Sequence, residues 1–157
     1  MTDECRATAN PVVDPYAIAV RRRLEEFHTG LSADLNALPS LPRATALGVL
    51  RYLLEVSCQA QHIGNINAGR RVFAMAPRQW LLATLPEVVD VLDLNDEWEF
   101  RRYVELTSFL DPQCAEHVVH QALTSERPDI REAARDMAGH CGEFAQNYRS
   151  SVGGPPW

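Results

Sequence analysis

Apolar residues recur along this chain at helical spacing, in blocks separated by proline, glycine and short polar breaks. Asp14-Pro15 has the form of an N-cap followed by proline at the first helical position. It predicts a helix to about His28, where Thr29-Gly30 stops it. A short helical turn is expected over 31–38, before the prolines of LPSLPR. From Arg43 to about Ala68 the chain is apolar on most sides. Leu47, Leu50, Leu53, Leu54 and Cys58 share one broad side, and Tyr52, Val56 and Ile63 lie on another. Such a segment belongs between neighbours, with Gly64 and Gly69 weakening its end.

Pro77 opens a helix carrying Trp80, Leu81, Leu82 and Leu85, which Pro86 kinks or restarts before Val88, Val89, Val91 and Leu92. Asp96 and Glu99 form a capping-box-like start. The helix that follows carries Trp98, Phe100, Tyr103, Val104, Leu106, Phe109 and Leu110, and only Arg101, Glu105 and Ser108 make a polar strip. It is therefore expected to pack on two sides. Asp111-Pro112 starts a helix to Leu123 through Cys114, Ala115, Val118, Val119 and Ala122. Pro128 opens a last strong helix whose apolar residues, Ile130, Ala133, Ala134, Met137, Cys141, Phe144 and Tyr148, form one stripe. That places it at the edge of a stack. No segment alternates apolar and polar residues over strand length, and no hairpin dipeptide occurs. The expected fold is all-α, with antiparallel helical hairpins stacked as a short array or an irregular bundle. One domain spans 14–148, between flexible tails at 1–13 and 149–157, the latter ending in SVGGPPW.

The stretch SERPDIREAARDM resembles the second-helix start of HEAT-like repeats through Pro128, Asp129, Ile130, Arg131, Ala133 and Ala134. The resemblance covers the C-terminal half. It implies that Ile130 packs inward, that Arg131 pairs along a ladder of turns, and that the chain is a short HEAT-like array acting as a binding scaffold. Stacked helical pairs expose extended faces, which suit another protein.

Composition narrows the chemistry. All fifteen cationic side chains are arginine, so Schiff-base catalysis, the P-loop and protein-kinase chemistry are excluded for want of a lysine. A net charge of −6 argues against a nucleic-acid surface and leaves room for a basic protein partner. Cys5, Cys58, Cys114 and Cys141 are widely spaced, the first residues lack a secretory pattern, and no apolar run is long enough for a membrane span. Free thiols in a reducing cytoplasm are expected.

Cys114, His117 and His120 are the best candidates for zinc or for a thiol nucleophile, with His140 and Cys141 nearby in sequence. Their spacing is poor, because Cys114 and His120 fall out of phase on a helix. Cys114, near a helix start, would gain some thiolate character there. The carboxylates of Asp93, Asp96, Glu97 and Glu99 suit acid–base or cation chemistry, yet helix capping accounts for Asp96 and Glu99. Arg70 and Arg71 would line an anion site or, more simply, complement a helix C-terminus. Trp80 fits a core, whereas Trp98 is expected half-buried beside an acidic loop, with Trp157 in the tail.

The residues expected to contact a partner are Asp93, Asp96, Glu97, Trp98, Arg101 and Arg102. They imply a non-enzymatic protein-interaction module without cofactor, of which a small bacterial immunity or adaptor protein is one concrete form. The alternative is a metal- or thiol-dependent enzyme using Cys114, His117 and His120 or the carboxylates of Asp93–Glu99.

Overall fold

The computed structural model describes residues 14–152, and these form an all-helical bundle without strands. Cys5 and Trp157 lie outside the described residues, as do 1–13 and 153–157 of the expected tails. Helix α1 (Pro15–Phe27) starts as anticipated: the Asp14 carboxylate accepts from the N–H groups of Tyr16 and Ala17. A 3-10 turn over Leu35–Ser40 takes the place of the one expected at 31–38, with Pro39 inside it.

The long apolar segment is not one helix. It divides into α2 (Arg43–Leu54), a π-helical turn (Glu55–Gln59) and α3 (Ile63–Phe73). His62 caps α3 by accepting the Gly64 N–H on Nδ1 at 3.0 Å, so its ring proton sits on Nε2 and is donated to Tyr16 Oη at 3.0 Å. The two glycines are close-approach positions rather than weak points. A Cβ on Gly64 would stand 2.4 Å from the Tyr16 ring, and one on Gly69 would stand 2.8 Å from Val56 Cγ1 and 3.1 Å from the Ser57 backbone nitrogen. Ile63, expected on a packed side, opens α3 at the surface, 64% exposed.

Pro86 does interrupt its helix: α4 (Arg78–Thr84) gives way to 3-10 turns at Leu85–Glu87 and Val89–Val91. Helix α5 (Glu97–Leu110) is the axis of the molecule. Its Tyr103, Leu106, Phe109 and Leu110 enter a large core with α1–α4 and Tyr148, while Phe100 and Val104 enter a second core with α6 (Pro112–Ala122) and α7 (Pro128–Met137). Ser108, assigned to a polar strip, is fully buried and donates to the Val104 carbonyl at 2.6 Å.

The last apolar stripe is also two helices. Gly139, at φ +78°, turns the chain between α7 and α8 (Cys141–Val152). Glu116 of α6 accepts from the N–H groups of Gly139 and Cys141 at 3.2 and 3.3 Å, which secures the turn. Thus α8 is no edge extension. It packs on α5 more extensively than any other element does, with Phe109 and Tyr148 stacked at 4.2 Å, and it runs past 149, where the tail was expected to begin.

The two glycine environments predict opposite signs for one substitution. Gly69→Ala gains about 1 kcal/mol of helix propensity but drives a methyl into backbone, so a net loss of about 1–3 kcal/mol is expected. Gly142→Ala, which meets nothing within 4 Å, should be neutral or stabilise by up to about 1 kcal/mol. Urea unfolding of both variants checks the pair.

Candidate functional site

The start of α5 assembles most of the residues picked out as partner contacts. Asp96 caps the helix, its carboxylate accepting from the N–H groups of Trp98 and Glu99 at 3.0 Å each. Glu99 departs from the reciprocal half of a capping box. Its Oε2 accepts from Asp93 N–H at 2.8 Å and from Gln59 Nε2 at 3.0 Å, while Gln59 also donates to the Val91 carbonyl at 2.8 Å. Asp93 in turn accepts the Asn95 N–H at 2.9 Å. The loop before α5 is therefore tied both to itself and to the end of the π-helical turn.

With its backbone so held, Trp98 projects outward. It is 67% exposed rather than half-buried, the most exposed of the large apolar side chains among the described residues. Arg102, one turn on, sits with its guanidinium carbon 6.0 Å from the indole centroid, at the outer limit of a cation–π contact. The same guanidinium reaches inward, and its Nη1 donates to the carbonyls of Cys58 and Ala60 at 3.0 and 2.8 Å. Arg101 bridges Glu97 and Asp136 of α7 at 2.8 Å each, and those contacts hold its guanidinium in the charged form. Trp98, Asp96, Glu99, Arg102, Gln59 and Gln61 line a notch of about 200 Å³. That lies below the roughly 300–1,000 Å³ of small-molecule sites; a notch of this size accommodates a side chain of a partner.

The alternative constellations are arranged differently. Among the described residues no three His, Cys, Asp or Glu side chains are grouped to hold a metal ion. Cys114 is exposed, with Sγ 3.4 Å from Asp111 Oδ2, while His117 is hydrogen-bonded to Gln121 at 3.1 Å and His120 faces outward on the same helix. The expectation of thiolate character at Cys114 is reversed: partial burial and the neighbouring Asp111 carboxylate push its thiol up. Cys58 and Cys141 are buried, and burial first of all pushes their thiols to about 12 and about 11. Asp96 and Glu99 are engaged by N–H groups, and Glu97 by Arg101, which leaves these acids in capping and bridging roles.

Arg70 and Arg71 do close α3 at its C-terminal turn, and both are also paired across the fold. Arg70 bonds Glu105 at 2.6 Å and lies 5.3 Å over the Tyr148 ring, and Arg71 bonds Asp14. Trp80 is partly buried against the main core, as expected. Two features have no local signal in the sequence. One is the inward role of Arg102, whose acceptors lie more than forty residues away. The other is a larger groove around Tyr103, opened where Pro86 ends α4. No helix of the described residues is long and apolar enough to cross a membrane. Compared with protein-family models, curated proteins and solved structures, the chain has no significant match.

The reversal at Cys114 is measurable. Its alkylation by iodoacetamide, followed by peptide mass spectrometry against pH, should have a midpoint above that of a free cysteine peptide. Asp111→Asn, which retains an N-cap residue, should move the midpoint down and speed the reaction at neutral pH. An unchanged profile in the variant contradicts the assignment.

Proposed function

We propose that this chain acts by holding another protein, without catalysis, on the face centred on Trp98. The observation that carries this is the exposed indole on the first turn of the best-buried helix. Leaving a tryptophan in water forgoes its burial free energy, and rigid aromatic anchors of this kind dominate protein interfaces. The rim supports the same reading. Asp93 and Asp96 are exposed, Glu97 is partly so, and Arg101 and Arg102 are fixed by ion pairs or hydrogen bonds, so little side-chain entropy remains to be lost on docking.

The favoured partner is basic, given the net charge of −6 and the carboxylates flanking the indole. Its narrower form is a bacterial immunity or adaptor protein that masks a basic protein, which rests on analogy of class. A HEAT-like character for α6 and α7 belongs to the same proposal. Ile130 packs inward, while Arg131 donates to the carbonyls of Ser125 and Glu126 in its own preceding turn at 2.6 and 2.9 Å.

The test is capture from the native host on immobilised protein, comparing wild type with Trp98→Ala. A hot-spot truncation costs about 2 kcal/mol or more, roughly a thirtyfold loss of affinity, so a protein retained by wild type should be lost by the variant. The melting temperature should stay within about 2 °C, because an exposed side chain contributes little to stability. Equal retention by both proteins would remove Trp98 from the interface, and unfolding of the variant would return it to the core.

A further inference from the structure

The groove beside Pro86 shares no lining residue with the Trp98 notch and has a different character. It encloses about 390 Å³ between the end of α4, the middle of α5 and the start of α6. That volume falls within the range of small-molecule sites. Leu82, Leu85, Pro86, Val118 and the ring of Tyr103 supply apolar walls, and Thr107, Asp111, Gln113, Cys114 and His117 bring polar atoms to it.

Tyr103 distinguishes this groove from a packing defect. The residue is only 7% exposed, and its hydroxyl makes no hydrogen bond to protein among the described residues. Its oxygen is not among the fully buried unpartnered atoms, so with the ring buried the hydroxyl opens onto solvent. Here burial raises the phenol to about 12, and the nearby Cys58 and Cys114 sulfurs add to the rise, so the group remains a neutral O–H donor at physiological pH. Most of the other polar neighbours are engaged, the exposed Gln113 amide side chain at the rim being the exception. Thr107 donates to the Tyr103 and Val104 carbonyls, Asp111 accepts from Gln113 N–H and Cys114, and His117 is bonded to Gln121. The groove thus offers apolar walls, the Tyr103 hydroxyl as an unengaged donor set among them, the Gln113 amide at its rim and a carboxylate that disfavours anions.

We infer that this groove binds a small uncharged molecule with an apolar body and a hydrogen-bond-accepting head, such as a ketone or ester, which takes the Tyr103 hydroxyl. The apolar body lies against Leu82, Leu85 and Val118, and the head replaces the water that otherwise solvates the phenol. The pairing selects against carboxylic acids, because Asp111 stands at the same opening.

The test uses prodan, a neutral naphthalene ketone whose emission reports both the polarity around it and hydrogen bonding to its carbonyl. Titration into the full chain should show saturable binding at one site, with emission shifted to the blue of that in water. Tyr103→Phe removes the donor without changing the wall. It should weaken binding about three- to tenfold, the worth of one hydrogen bond, and shift bound emission further to the blue. Leu82→Gln places a polar group in a half-exposed wall and should weaken binding about tenfold or more. Circular dichroism confirms that both variants are folded. Bound prodan should also slow alkylation of Cys114. Absence of saturable binding overturns the inference, as does binding unchanged in both variants.

Discussion

The guanidinium of Arg102 donates to the carbonyls of Cys58 and Ala60, at the point where the chain leaves the π-helical turn and prepares to start α3. These two bonds join the most irregular stretch of backbone to the most regular helix in the molecule. A helix that widens into a π turn and then stops presents carbonyls that need donors. An arginine is suited to this, since one fork serves two acceptors while remaining charged. The break then permits α3 to fold back against the π turn at Gly69, and α1 to close over α3 through Tyr16 and Gly64.

From this follows the position of α5. Once α2 and α3 stand apart, α5 has apolar neighbours on nearly every side, and it serves as the wall shared by two cores. Tyr148 completes the enclosure, stacked on Phe109 and donating to the Arg70 carbonyl at 3.0 Å. A helix held so widely has little freedom to shift, and what projects from its two open regions is correspondingly well placed. Trp98 projects from its first turn, and Tyr103 faces the groove one and a half turns further on. The two proposed sites therefore depend on one element and differ in chemistry. One presents an aromatic among charges, and the other a phenol donor beside aliphatic walls.

The helical class, the caps at Asp14, Asp96 and Asp111, and the disruption at Pro86 were legible in the sequence because each is decided within a few residues. The breaks at 59–62 and at Gly139 were not. Leu54 and Cys58 continue a helical phase, and so do Met137, Cys141 and Phe144, so apolar spacing alone runs straight through both. What ends those helices is remote: Arg102 in one case and Glu116 in the other. The positive-φ Gly139 was the one local signal available for the second break. Ser108 was misplaced for a related reason, since its hydroxyl is satisfied by its own helix and so tolerates burial under α8. At the candidate site, the residues of the acidic–aromatic–arginine run were visible, but the exposure of Trp98 was not, because an indole at that position suits a core or a surface equally well. The Tyr103 groove was hidden entirely. It arises from what α4 fails to cover after Pro86.

Arg102 ties the break after the π-helical turn to α5 beneath the exposed indole. The most direct measurement is the urea unfolding free energy of Arg102→Ala against wild type. Loss of charge-assisted bonds to part-buried carbonyls should cost about 1.5–3 kcal/mol. A variant within about 0.5 kcal/mol of wild type would show that the break is maintained by other forces and not by Arg102.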